Sequence, residues 1–217
     1  MAILADGSYS NHNGRWGIGA TEEDGAFFGC CGGRSELLRD LLHLPPLEPL
    51  SSPTTEVLAA LLAIILAIRA RDYRPTIVVD FAEPWVDLYR EYYRDVVKTA
   101  QWTQAYLQAL TYLRRTVWWA LKAGFQLTIQ DKATAGYEHH EWPPHFLANA
   151  ARVAQTFRPF GEKYYDLLRE VMTAPHLPGA AGDADPASLG LFRIEFPGHL
   201  ILPEPPQNEL RMVPALQ

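Results

Sequence analysis

Residues 2–9 read Ala-Ile-Leu-Ala-Asp-Gly-Ser-Tyr, an apolar run that is interrupted at Asp6 and Gly7. Such a run predicts a buried β-strand that delivers a carboxylate at its end. A carboxylate is rarely buried unless a positive charge compensates it. We therefore expect a cation beside Asp6, and we interpret that cation as a divalent metal ion.

Two further acids stand at the ends of apolar elements. Glu56 opens the long apolar helix predicted for residues 53–70, and Asp80 lies at the closing end of an apolar strand predicted for residues 76–82. If the two strands are neighbours in one sheet and the helix crosses them, the three carboxylates converge. Oxygen ligands suit Mg²⁺ or Mn²⁺ better than zinc. Each acid alone also fits a structural role, as a turn residue, a partner of the helix dipole or a helix cap, so the metal site is predicted from all three together.

The order of these elements resembles that of the ribonuclease H family, over residues 2–157. The matching pieces are, in chain order, DGS at 6–8, NGRWGIGA at 13–20, AFFGCCGG at 26–33, TTEVLAALLAI at 54–64, VVDFAEPWV at 78–86, FQLTIQDKATAG at 125–136 and HFLANAARVA at 145–154. The resemblance implies an α/β fold with a mixed five-stranded sheet, in which three antiparallel strands are followed by parallel strands and helices flank the sheet.

The resemblance also implies an activity, the cleavage of the RNA strand of an RNA/DNA hybrid by a metal-dependent endonuclease. Two Mg²⁺ or Mn²⁺ ions would be held by Asp6, Glu56 and Asp80, with Asp6 bridging them in a two-metal mechanism. The backbone around Gly7 and Ser8 would contact the 2′-hydroxyl groups of the RNA strand.

The sequence departs from the family's pattern at two positions of the site. The family's last helix carries a fourth acid within Ala-Asp-x-Leu-Ala, and Asn149 is interpreted as standing in its place, where it offers a neutral oxygen. The family's mobile loop histidine corresponds to Thr134, so we expect His139 or His140 in the same loop to take over its role. These departures leave two alternatives open, a weak or inactive scaffold that binds nucleic acid and a DNA-acting nuclease of the same fold.

The charge pattern bears on the substrate in two ways. The net charge of −6 counts mildly against nucleic acid as a partner, because phosphate affinity comes chiefly from Lys and Arg. Residues 89–122, however, carry six basic and two acidic residues interleaved with aromatic ones. This pattern favours a surface that holds the DNA strand through Arg90, Arg94, Arg114 and Arg115. The alternative is two ordinary amphipathic helices with solvated charges.

The chain as a whole predicts one domain with an extension. Its 217 residues are 48% hydrophobic, which is enough to bury a core, and we expect a ribonuclease H-like domain over residues 1–157 and an extension over residues 158–217. The extension predicts a helix, a linker, a possible hairpin and a disordered tail, which could dock on the core or on a protein partner, as in a reverse-transcriptase context. The other predicted elements are a hairpin over 13–33, a short helix from residue 35, helices over 84–98 and 103–123, a strand over 125–130 and a last helix that begins at Pro143-Pro144.

Two observations bear on the cellular setting. The helix that contains Glu56 is bounded by that acid and by Arg69 and Arg71, so we interpret it as a core helix and expect no membrane association. The first predicted strand begins at residue 2, and Cys30 and Cys31 are adjacent in a strand pattern that does not allow an ordinary disulfide between them. We therefore expect a cytoplasmic or nuclear protein.

Overall fold

A single mixed sheet organises the protein. The structure is a computed structural model that describes residues 2–24, 28–80, 103–137, 142–154, 159–173 and 193–195. The strands are β1 (Ala2–Ser10), β2 (Arg15–Glu22), β3 (Phe28–Arg34), β4 (Thr76–Val79), β5 (Thr128–Asp131) and β6 (Arg193–Glu195), and the helices are α1 (Ser35–Leu41), α2 (Ser52–Arg69), α3 (Gln104–Lys122), α4 (Pro143–Val153) and α5 (Glu162–Thr173).

The strand order in the sheet is β3-β2-β1-β4-β5-β6. The pairs β1/β2 and β2/β3 are antiparallel, whereas β1/β4, β4/β5 and β5/β6 are parallel. The predicted mixed sheet is therefore confirmed: three antiparallel strands are followed by parallel strands, and helices flank them. This arrangement is the ribonuclease H-like fold.

The central strand β1 serves both faces of the sheet because successive side chains of a strand point to opposite sides. Ile3 and Ala5 join the large apolar core with α2 and α3, whereas Leu4 joins a small cluster with Val78 and Trp142. The sequence predicted the buried strand and its Asp6. The difference in size between the apolar clusters on the two faces depends on where the helices pack, and the sequence did not predict it.

Helix α2 is the core of the larger face. It is the one helix among the described residues that is long and apolar enough to cross a membrane, but its side chains are buried in the fold, from Val57 to Ala67, and it packs against β1, β2 and α3. It begins one residue earlier than predicted, at Ser52 with Ser51 as N-cap, so Glu56 lies beyond the first turn. A helix that is apolar nearly all round must be covered on all sides, which agrees with the prediction of a core helix.

The residues after 158 contribute to the same sheet and core. α5 buries Leu168, Val171 and Met172 in the large cluster, and β6 adds a sixth strand beside β5. The predicted division of the chain at residue 157 stays a prediction, and the linker, the second half of the possible hairpin and the tail lie outside the described residues. So does the helix predicted over 84–98.

Candidate active site

The site is built around Asp6, a residue that is only 2% exposed and lies on the smaller face of the sheet. Asp6 lies opposite Gly19 in the β1/β2 ladder. A Cβ atom at Gly19 would come within 2.7 Å of the carbonyl oxygen of Pro144, so glycine here lets the backbone of α4 lie directly on β2. This close packing brings the first turn of α4 to the carboxylate of Asp6.

His145 is the residue of α4 that meets Asp6. Its Nδ1 lies 2.8 Å from Oδ2 of Asp6, and its Nε2 lies 2.8 Å from Nδ2 of Asn149. The oxygen of the Asn149 amide accepts from the hydroxyl of Ser8 and from Arg152, both at 3.0 Å. With the amide oriented by these two donors, the Asn149 NH₂ group donates to Nε2, and the Nδ1–H group of His145 donates to Asp6. Asn149 thus orients the imidazole from one turn further along the helix.

In this placement His145, and not Asn149, contacts Asp6, so the interpretation of Asn149 as the fourth ligand stays a prediction. Asn149 and His145 are four residues apart and share one face of the helix, and the packing of α4 on β2 puts the earlier one against Asp6. The signal was present in the sequence: His145-Phe146-Leu147-Ala148 matches Asp-x-Leu-Ala at its last two positions, with histidine in the place of the acid.

Glu56 reaches the same place from α2. β4 ends at Val79, opposite Ala5, so β1 continues beyond its partner, and the backbone N–H group of Gly7 donates to Oε2 of Glu56 at 2.9 Å. Gly7 also permits the close crossing of β1 and α2, because a Cβ atom there would lie 2.5 Å from the backbone nitrogen of Glu56. The carboxylate of Glu56 therefore lies beside the residue that follows Asp6.

Burial destabilises the charged form of both carboxylates. Burial raises the pKa of Glu56 well above its ordinary value, and the nearby charge of Asp6 raises it further. Burial also raises the pKa of Asp6, and the contact with His145 offsets part of that rise. A cation between these acids would relieve both effects.

Asp80 is paired with a lysine that the sequence analysis did not single out. Asp80 follows β4 and Lys132 follows β5, and since these strands are parallel neighbours, the two residues emerge at the same edge of the sheet. Nζ of Lys132 lies 2.6 Å from Oδ2 of Asp80. The charge of Asp80 raises the pKa of Asp6 and of Glu56, and the charge of Lys132 lowers both, which places the pair within electrostatic range of the other two acids.

The donor set of the site fits a divalent cation in its chemistry. Among the described residues no three His, Cys, Asp or Glu side chains already stand together as a metal site. Each acid instead has a protein partner: Asp6 has His145, Glu56 has the N–H group of Gly7, and Asp80 has Lys132. Three carboxylates and one imidazole are nonetheless ligands that Mg²⁺ or Mn²⁺ accepts.

Of the other residues predicted for substrate binding or catalysis, two arginines lie within the described part of the chain and the rest lie outside it. Arg115 of α3 donates through Nη2 to the carbonyl oxygens of Val171 and Met172, at 2.7 and 2.8 Å, and so binds the last turn of α5 rather than facing away from the protein. Arg114 is half-buried on the same helix. Arg90, Arg94, His139 and His140 lie outside the described residues.

Several solved structures are similar to this chain, and two of them are ribonuclease H structures. The ribonuclease H1 of the halophilic archaeon Halobacterium salinarum is 13% identical, with a TM-score of 0.45, and the match covers 69% of this chain and 95% of that one. The N-terminal ribonuclease H domain of a Mycobacterium tuberculosis protein, solved as a fusion with maltose-binding protein, is 12% identical, with a TM-score of 0.43 and coverages of 70% and 93%. No family model and no curated protein matches this chain. The strand order and the directions of the strand pairs identify the fold.

Proposed function

We propose that this protein is a metal-dependent endonuclease that cleaves the RNA strand of an RNA/DNA hybrid. The observation that carries the proposal is the burial of Asp6, on the central strand of a ribonuclease H-like sheet, beside Glu56 of α2. Burial raises the pKa of both acids, and the charge of Asp6 raises that of Glu56 further. Two acids that repel each other in a buried position weaken the fold unless a cation joins them. A divalent ion is the cation that such a carboxylate pair recruits.

Asp6, Glu56 and His145 would hold the ion, and Asp80 would contribute from the neighbouring strand end. When bound, a divalent ion lowers the pKa of a water molecule and stabilises the charge that develops on a phosphodiester during hydrolysis. His145 is the fourth ligand in this proposal, in place of Asn149. To bind the ion through Nδ1, the imidazole would carry its proton on Nε2. The Asn149 amide would then turn its oxygen toward that N–H group and exchange its contacts with Ser8 and Arg152.

The chain's own groups also limit how the substrate can be recognised. The N–H group of Gly7 is taken by Glu56, and the hydroxyl of Ser8 by Asn149, so a contact to a 2′-hydroxyl here would use their carbonyl groups or require an exchange of partners. For the DNA strand we retain Arg90, Arg94 and Arg114 as candidates. Arg115 is omitted because its guanidinium is engaged with α5.

A weak or inactive scaffold that binds nucleic acid is the second candidate, favoured by one specific observation. The ion pair between Lys132 and Asp80 engages one of the three acids with a cation of the protein itself. If that pair persists in the presence of metal, the site retains two carboxylates and the hydrolysis is slow or absent.

One substrate panel tests both candidates. An RNA/DNA hybrid labelled on either strand, a duplex RNA and a duplex DNA are each incubated with Mg²⁺, Mn²⁺ or chelator, with Asp6→Asn as the inactive control. We expect metal-dependent cleavage confined to the RNA strand of the hybrid. Cleavage of duplex DNA would favour a DNA-acting nuclease of the same fold, and hybrid binding without cleavage would favour the scaffold.

A further inference from the structure

Lys132 is a buried lysine with a fixed backbone at the edge of the proposed site. Its N–H group donates to the carbonyl oxygen of Val79 at 2.9 Å, and its own carbonyl accepts from the N–H group of Tyr137 at 3.0 Å. The residue is 4% exposed. Lysine is almost never this buried unless it is paired, so its position results from specific contacts and not from an accidental surface conformation.

The ammonium group lies between an acid and an aromatic ring. Asp80 is 2.6 Å from Nζ, and the ring centroid of Trp142 is 5.7 Å from it. Trp142 is itself buried in the small cluster with Leu4 and Val78, so the ring cannot move away. The side chain of Lys132 is therefore held in place on one side by charge and on the other by a packed ring.

The charges of the site come close to neutrality with a single divalent ion. Asp6, Glu56 and Asp80 carry three negative charges when ionised, and Lys132 neutralises one of them. One divalent ion neutralises the other two. A second divalent ion would leave an excess of positive charge unless Lys132 withdrew, and withdrawal would separate an ion pair that is only 2.6 Å long.

We propose that Lys132 acts as a built-in cation at the Asp80 end of the site, so that the protein binds one divalent ion tightly at Asp6, Glu56 and His145. A second ion binds only by displacing Lys132 from Asp80. This inference rests on the proposed function, because it assumes that the carboxylate cluster binds metal, and it replaces the two equivalent ions implied by the family resemblance.

The test is a titration of metal-free protein with Mn²⁺, in which free ion is followed by electron paramagnetic resonance. For the wild type we expect one tightly bound ion, and a second one at least tenfold weaker. Lys132→Met removes the charge and keeps an unbranched apolar stem over Trp142, and it should tighten the second site at least tenfold. Lys132→Arg keeps the charge and should resemble the wild type.

Two controls separate the effect from a general change of charge or of folding. Lys163→Met removes a positive charge from the exposed side of α5 and should leave both binding steps unchanged. Asp80→Asn should abolish the second binding step, because it removes the acid that the second ion would share with Lys132. The far-ultraviolet circular dichroism of each variant checks that it is folded. If Lys132→Met does not fold, Lys132→Arg provides a charge-retaining comparison.

The outcomes distinguish this inference from the proposed function. Two equally tight ions in the wild type, or unchanged binding in Lys132→Met, would overturn the role of Lys132 even if the hybrid is cleaved. One tight ion with no cleavage of any substrate would support Lys132 and overturn the nuclease. Binding of no ion by either the wild type or Lys132→Met would overturn both.

Discussion

One face of the sheet carries the large apolar core and the other carries the candidate site, and β1 contributes side chains to both. On one face Ile3 and Ala5 pack against α2 in a large continuous core. On the other face Leu4 has a small cluster with Val78 and Trp142, and the next inward position is the acid Asp6. The larger face provides most of the apolar burial, which leaves the smaller face free to hold charged groups whose burial is unfavourable. The predictions below test this separation.

The largest effect is expected from the core face. Leu61 of α2 is fully buried, and Leu61→Ala should lower the free energy of unfolding by about 2–5 kcal/mol, because it leaves a cavity among packed side chains. Phe146 of α4, which is 65% exposed, is the comparison on the other face, and Phe146→Ala should change stability by less than about 0.5 kcal/mol. Urea unfolding of both variants measures the difference. Equal losses of unfolding free energy in the two variants would show that both faces contribute equally to stability.

The second prediction concerns the smaller face, where a substitution should reduce activity without reducing stability. Asp6→Asn should slow hybrid cleavage by at least about 100-fold, or about 2.7 kcal/mol in activation free energy, because it removes a proposed ligand of the ion that stabilises the transition state. Its unfolding free energy without metal should not fall, because the variant removes a buried charge. Asp40→Asn, at an exposed position of α1, is the matched control and should be fully active. Full activity in Asp6→Asn would remove Asp6 from the mechanism.

A substitution of Arg115 tests whether this basic residue, near the core face, stabilises the fold or binds the substrate. Its two hydrogen bonds to the end of α5 predict that Arg115→Met loses about 2 kcal/mol of stability. The salt dependence of hybrid binding should be the same as in the wild type. Arg90→Gln, by contrast, should reduce the slope of log affinity against log salt concentration by about one unit if Arg90 contacts a phosphate. A reduced slope in Arg115→Met would return this residue to the substrate surface.

The smallest effect concerns the pH dependence of the metal-free protein. Because the folded state raises the pKa of Glu56, the folded protein retains a proton that the unfolded chain has already released. The resulting stabilisation is complete below the ordinary value of 4.5 and is lost as the pH rises through the raised pKa. Each unit of difference between the two pKa values is worth about 1.4 kcal/mol.

Glu56→Gln should therefore flatten the decline in stability above pH 4.5. Urea unfolding in chelator over a series of pH values measures it, with Glu36→Gln on the surface of α1 as the control. Identical profiles for Glu56→Gln and the wild type would mean that Glu56 is not the group responsible.

The amino-acid sequence by itself determined the elements whose signals are local. The apolar run before Asp6 and the nearly continuous apolar stretch after Glu56 specified a buried strand and a buried helix, because burial on both sides of an element leaves few polar positions in it. The positions of Asp6, Glu56 and Asp80 at the ends of such elements predicted one site for the three acids. The structure brings their charges within electrostatic range of one another, and the shared metal site stays a prediction. The order of strands and helices was sufficient to predict the mixed sheet.

Only the tertiary structure decided which side chains meet. His145 and Asn149 share a face of α4, so periodicity cannot choose between them; the choice depends on how far α4 lies along β2, and the contact at Gly19 sets that position. Lys132 meets Asp80 because β4 and β5 are neighbours at one edge, and Arg115 meets α5 although 56 residues separate it from Val171. Contacts between distant residues depend on the relative placement of whole elements, and no local pattern of residue types carries that information.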